Sequence, residues 1–234
     1  MRTLLVAAAE PVELRGLLRR LGPWRDPGWP VDFARQTEHR GGRWIAAANG
    51  AGPVLAGRAV AVAAERVKLD AVVSAGFCGA LDESLEPGAV FVAGRVLGQD
   101  PATGFEACLP RTNRPYLCGS MISIDRFIPA AEEKRRLRVS GAGAVEMEAA
   151  GVAMEAARRG FPFYCVRVVT DTAAESFAFD LNAVRDGDGR FRRRRLLLQA
   201  LRRPLVVVPE LAFLFRRSRA AAEILGEFLA DCEF

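Results

Sequence analysis

The chain has 234 residues, half of them apolar, and a mean hydropathy of +0.09, which predicts one large domain with its own core and excludes a membrane span. Cys78, Cys108, Cys118, Cys165 and Cys232 form no Cys-x-x-Cys pair and His39 is the only histidine, so the chain reads as reduced and cytoplasmic, without a structural metal. The net charge of +5 is uneven: eleven arginines face three acids between residues 185 and 220, four acids fill the last fourteen residues, and the first 184 are close to neutral.

Residues 3–8 are an apolar run that predicts a strand. Pro11 followed by Val12, Leu14, Leu17, Leu18 and Leu21 predicts a helix behind it. Glu10 and Glu13 interrupt the apolar run too early for a secretion leader. Arg40-Gly41-Gly42 predicts a hairpin turn, 44–48 a strand, Asn49 to Gly52 a tight turn, and Pro53 to Val67 a helix that opens on proline. Residues 71–75 are wholly apolar, as in a strand buried on both faces, and run into Gly76-Phe77-Cys78-Gly79, which reads as a loop. A strand over 89–97 follows. The three prolines of 99–115 predict a loop, and 121–124 and 163–169 predict two further strands. Between these, 147–159 predicts a helix whose inward face carries Met147, Ala150, Met154 and Ala157.

Such alternation predicts an α/β domain, a three-layer sandwich with a mixed, mostly parallel central sheet and helices on both faces. Asp186-Gly187-Asp188-Gly189 marks a turn-rich linker, and the pattern from Phe191 onward is helical, broken at Pro204 and Pro209. The division expected is a catalytic domain over 1–185 and an Arg-rich helical extension over 186–234.

Ligands in open α/β sheets gather at the carboxyl ends of strands. Three such ends carry chemistry. At 74–79 the glycines let backbone approach a ligand closely. At 144–149, Glu146 and Glu148 lie at a helix N-terminus, where the dipole favours negative charge. At 167–171 an apolar strand releases Thr170 and Asp171, and a carboxyl group desolvated there holds a proton more tightly, as a general acid needs. Each alone also fits an ordinary strand exit, helix cap or Asx turn.

Together, Gly76-Phe-Cys-Gly-Ala-Leu-Asp82, Ala144-Val-Glu-Met-Glu-Ala149 and Val166-Arg-Val-Val-Thr-Asp171 resemble the nucleoside phosphorylase and nucleosidase superfamily, in particular methylthioadenosine/S-adenosylhomocysteine nucleosidases, over about residues 1–175. The resemblance implies a nucleoside-phosphorylase-like fold and cleavage of a purine nucleoside at its N-glycosidic bond. It implies that Asp171 protonates purine N7 and Glu13, with Glu10 as a rival, activates water, chemistry that requires no metal or organic cofactor. Glu148 would accept the sugar hydroxyls, Met147 would pack on the ribose with Glu146 beside it, and Phe127 would stack on the base. Gly76, Phe77, Cys78, Gly79, Val145, Arg167 and Thr170 would line the pocket. A homodimer is also implied.

The sequence departs from the family where phosphate binds. Phe77 stands where the family has serine and Ser74 where a phosphate-binding arginine falls, so water is the expected nucleophile, with phosphate as the alternative. The loop over 99–115 is shorter than its family counterpart, which would open the 5′ side of the sugar. The C-terminal segment is similar to that of hopanoid-associated phosphorylase-like proteins, which implies a bulky 5′ substituent and contact of the Arg-rich helix with an anionic membrane surface. Few aromatics interleave with its arginines, so nucleic acid is not an expected partner.

Overall fold

The computed structural model describes residues 1–100, 103–186, 190 and 192–234. The chain opens with β1 (Thr3–Ala8) and α1 (Arg15–Leu21), then β2 (Phe33–His39) and β3 (Gly42–Ala48) as a hairpin. Arg40 and Gly41 both have positive φ, 49° and 74°, the geometry a two-residue hairpin turn demands. α2 (Pro53–Arg66), β4 (Ala71–Ala80), β5 (Val90–Leu97), β6 (Gly104–Glu106) and β7 (Leu117–Ser123) follow. After them come α3 (Ala131–Arg138), β8 (Ala144–Glu146), α4 (Ala149–Arg159), β9 (Phe163–Asp171), α5 (Arg193–Arg202) and α6 (Pro204–Asp231).

One mixed sheet runs β2-β3-β1-β4-β8-β7-β5-β6, and β9 pairs with both β4 and β5. β1 lies parallel to β3 and β4, and β9 parallel to β4, so their carboxyl ends point the same way. α2 and α4 cover one face over Leu5, Ile45, Val60, Val72 and Val152. α1 and α6 cover the other over Val6, Leu17, Val73, Val166, Leu225 and Phe228. The three layers are those the apolar alternation implied.

Four local features differ from the sequence reading. β4 continues through Gly76-Phe77-Cys78-Gly79 to Ala80 because that stretch stays paired with β9, with an irregularity only between Cys78 and Gly79. The 99–115 segment holds β6, paired antiparallel to β5. α4 begins at Ala149 and buries Ala149, Val152, Ala153 and Ala156, leaving Met154 half exposed. The small face wins because α4 crosses α2 so closely that a Cβ on Gly151 would lie 1.9 Å from the Pro53 carbonyl oxygen.

The fourth concerns the stretch 186–234, which divides into two parts. Residues 187–189 of the expected linker lie outside the described residues. α5 and the start of α6 are largely exposed apart from the buried Val207, whereas Ala221, Ala222, Leu225, Phe228 and Leu229 are buried at helical spacing against α1 and the sheet. A Cβ on Gly226 would lie 2.1 Å from the Gly16 carbonyl carbon, so α1 and α6 touch backbone to backbone. The arginine-rich composition ends at Arg219, where this buried face begins.

Candidate active site

The carboxyl ends of β1, β3, β4 and β9 bring the motif residues together. Glu13 follows β1 in a turn and is buried. Its Oε2 accepts the backbone N–H groups of Ala9 and Glu10, both at 2.9 Å, and its Oε1 accepts that of Phe77 at 3.1 Å. Gly76 makes this approach feasible, since a Cβ there would sit 2.5 Å from Glu13 Oε1. Burial raises the Glu13 pKa, while the N–H donors and Arg167 oppose the rise. Glu10 is exposed; its backbone N–H donates to Glu13 Oε2 and its carbonyl accepts the Glu13 N–H at 3.1 Å.

Arg167 on β9 is fully buried. Its Nη2 donates to Ser74 Oγ at 2.8 Å and to Glu146 Oε2 at 2.5 Å, and its Nη1 donates to the Val166 carbonyl. Among the described residues its Nε has no hydrogen-bond partner. Glu146 also accepts the N–H groups of Glu148 and Ala149, so both its oxygens are spent on Arg167 and on the start of α4. Glu148 differs: only Oε1 is engaged among the described residues, by the Gly52 N–H at 3.0 Å. Burial, with the charges of Glu146 and Glu13, pushes its pKa up to about 8.

Asp171 ends β9. Its Oδ1 accepts the Thr170 hydroxyl at 2.9 Å and its Oδ2 accepts Lys134 Nζ at 2.5 Å. Gly79 leaves the room, since a Cβ there would lie 2.8 Å from Asp171 Oδ2. Burial raises the Asp171 pKa, and the Lys134 ammonium is the first force against it. Sequence reading missed Lys134. The available signal was its rarity, one of two lysines beside thirty-one arginines, but nothing local ties it to a carboxylate 37 positions later.

Phe127 is stacked on Phe179 at 5.8 Å between centroids and tilted against Phe177, two aromatics that sequence reading also passed over. Asn182 pins the Phe127 backbone from both sides. Val145 is buried in β8 opposite Gly79, and Met147 is half-buried just before α4. Cys78 is buried and burial drives its thiol pKa well up, so it packs as an inert small residue. Phe77 is partly buried against the α1–α6 side of the core.

The sequence model of the phosphorylase superfamily matches residues 22–110 and 102–194, most of the chain. The protein belongs to that superfamily. A 5′-methylthioadenosine/S-adenosylhomocysteine nucleosidase from Staphylococcus aureus is 29% identical over an alignment covering 53% of this chain and 67% of the relative. Among solved structures, the Helicobacter pylori nucleosidase of that name, with 5′-methylthioadenosine in its active site, superposes at a TM-score of 0.73 with 16% identity and 98% of each chain covered. The Neisseria meningitidis enzyme, complexed with methylthio-immucillin-A, gives 0.71 at 21% identity over 98% of this chain and 99% of that one. These likenesses establish the fold.

Proposed function

We propose that the protein is a purine-nucleoside N-ribosyl hydrolase that releases adenine from a 5′-substituted adenosine, working as a cytoplasmic homodimer. One observation carries the choice of water over phosphate: the Glu13 carboxylate occupies the backbone N–H groups of Ala9, Glu10 and Phe77. Those donors would otherwise suit an anion, and a second anion beside Glu13 is repelled. The superfamily membership and the nucleosidase relatives support the substrate class.

Breaking the purine–ribose bond passes through an oxocarbenium-like state, so the leaving base needs a proton and the sugar needs nearby negative charge. Asp171 gives the proton to purine N7. Glu148, with one oxygen uncommitted, takes the sugar hydroxyls, while Glu146 orients Arg167 and the α4 N-terminus. Met147 packs on the ribose and Phe127 on the base. Gly76, Phe77, Cys78, Gly79, Val145 and Thr170 form the wall. Glu13 accepts the proton of the attacking water. Incubation with 5′-methylthioadenosine, S-adenosylhomocysteine and inosine, with and without phosphate, tests this reading. Free adenine without phosphate supports it; strict dependence on phosphate makes the protein a phosphorylase, and tight binding without turnover makes it a nucleoside sensor.

A second role has its own observation. Leu197, Leu198, Leu201, Leu205, Val206 and Phe215 are exposed on α5 and the outer half of α6, with Leu205 at 90% and Leu201 at 75%. Arginines 192, 194, 195, 202 and 203 lie in the same stretch of sequence as the leucines. No described helix is long and apolar enough to cross a membrane. Exposed apolar side chains on an arginine-rich helical segment suit the surface of an anionic bilayer. Co-sedimentation with anionic vesicles and not neutral ones, lost in Leu201→Glu/Leu205→Glu, is the expected result; equal recovery of the two chains removes this role.

A further inference from the structure

The inward face of α3 is made by Ala131 and Lys134, while Arg135, Arg136 and Arg138 point to solvent. Lys134 is wholly buried, which a lysine tolerates only when its charge is matched. Its ammonium has three protons and finds three acceptors, all on one short segment: Asp171 Oδ2 at 2.5 Å, the Thr172 carbonyl at 2.8 Å and the Glu175 carbonyl at 3.3 Å. The Phe177 ring lies 5.7 Å from Nζ. A compact ammonium satisfies this set, whereas the planar fork of an arginine is shaped for carboxylates and phosphates.

The charged and titratable groups around the pair come from every packed element. Glu175 faces it from the loop after β9, and Cys78 faces it from β4. Arg217 reaches in from α6, donating to both Glu175 carboxylate oxygens at 2.8 and 2.7 Å and to the Thr170 carbonyl at 3.2 Å. Glu175 also accepts the Thr172 N–H at 2.7 Å. The Arg217–Glu175 pair therefore holds the segment that Lys134 grips, and Lys134 is the one cation bonded to Asp171 itself among the described residues.

We propose that Lys134 is a positioning residue for the nucleosidase reaction: its ammonium fixes the Asp171 carboxyl group against β9 and governs when that group carries the proton passed to the purine. The inference rests on the general-acid assignment of Asp171 made above. Burial favours the protonated carboxyl and the ammonium favours the ionised one, so the two oppose each other on a single group. Removing Lys134 leaves burial unopposed, and Asp171 then keeps its proton to higher pH.

The test compares wild type, Lys134→Met, Lys134→Gln and Lys134→Arg as full chains. The expected result is a lower kcat in Met and Gln, with the alkaline limb of kcat moved up by about one pH unit or more and KM little changed. Arg, which retains the positive charge, is expected to keep the limb near its wild-type position. A lower kcat with an unmoved limb in both neutral variants would make Lys134 merely structural and overturn the proposal.

Thermal unfolding separates this outcome from failure of the nucleosidase reading, because it needs no turnover. Lys134→Met is expected to lose more stability at pH 8 than at pH 5, and Asp171→Asn in the same chain is expected to abolish that pH dependence. Loss that is independent of pH, in the Met and Gln variants alike, also overturns the proposal. Absence of adenine release from wild type with the coupling intact overturns the function and leaves the pair.

Discussion

The Glu13 carboxylate accepts the backbone N–H of Phe77 across 3.1 Å, joining the turn after β1 to the middle of β4. This contact joins residues 64 positions apart and sets the Glu13 carboxyl group against Phe77, the position at which the resemblance to the superfamily puts a phosphate-binding serine. A carboxylate that already holds three N–H donors is pre-oriented, and its remaining task is to accept a proton from water.

Glu13→Gln follows directly. The amide keeps the shape but turns an NH2 group toward backbone donors and cannot take a proton. Turnover is expected to fall by about 10²–10⁴-fold, the usual worth of a general base, and adding phosphate is expected to restore none of it. Assay of adenine release with and without phosphate checks both statements.

Glu148 predicts the pH dependence of stability in the unliganded protein. Its pKa rises on folding from 4.5 to about 8, so the folded chain binds this proton more tightly than the unfolded chain does. A raised pKa contributes stability that is fully present below 4.5 and is lost as pH climbs through about 8. Glu148→Gln is expected to melt at an increasingly higher temperature than wild type between pH 5 and pH 8, while KM for nucleoside rises. Melting curves across that range are the check.

Gly226 tests whether the end of α6 belongs to the core. Gly226→Val forces a side chain onto Gly16 backbone that cannot move aside. A loss of about 3 kcal/mol is expected, lowering Tm by roughly 10 °C. Ala220→Val, on the exposed side one and a half turns earlier, is expected to leave Tm nearly unchanged.

Local pattern made much of the fold legible. The apolar runs at 3–8 and 163–169 and the Arg40-Gly41-Gly42 turn record local geometry, and the structure follows them. What depended on neighbours was hidden. Gly76 to Gly79 looked like a loop because glycine is a turn residue in isolation, yet β9 holds it as strand. The larger side chains seemed to mark the inner face of α4, but the closeness of α2 selected alanine instead. At the site, Glu13, Glu146, Glu148, Arg167 and Asp171 came from the resemblance of the motifs to the superfamily, and the structure bonds Arg167 to Glu146 and the Phe77 N–H to Glu13. Lys134 could not be found that way, because its burial follows from the packing of α3 on the segment after β9.

Adenine release by Asp171→Asn, measured beside wild type without phosphate, bears most directly on the central claim. Wild type is expected to release adenine from a 5′-substituted adenosine, and the variant, with its fold unchanged by circular dichroism, is expected to be slower by about 10²–10⁴-fold. Equal rates in the two proteins, or no release by wild type, would contradict the account.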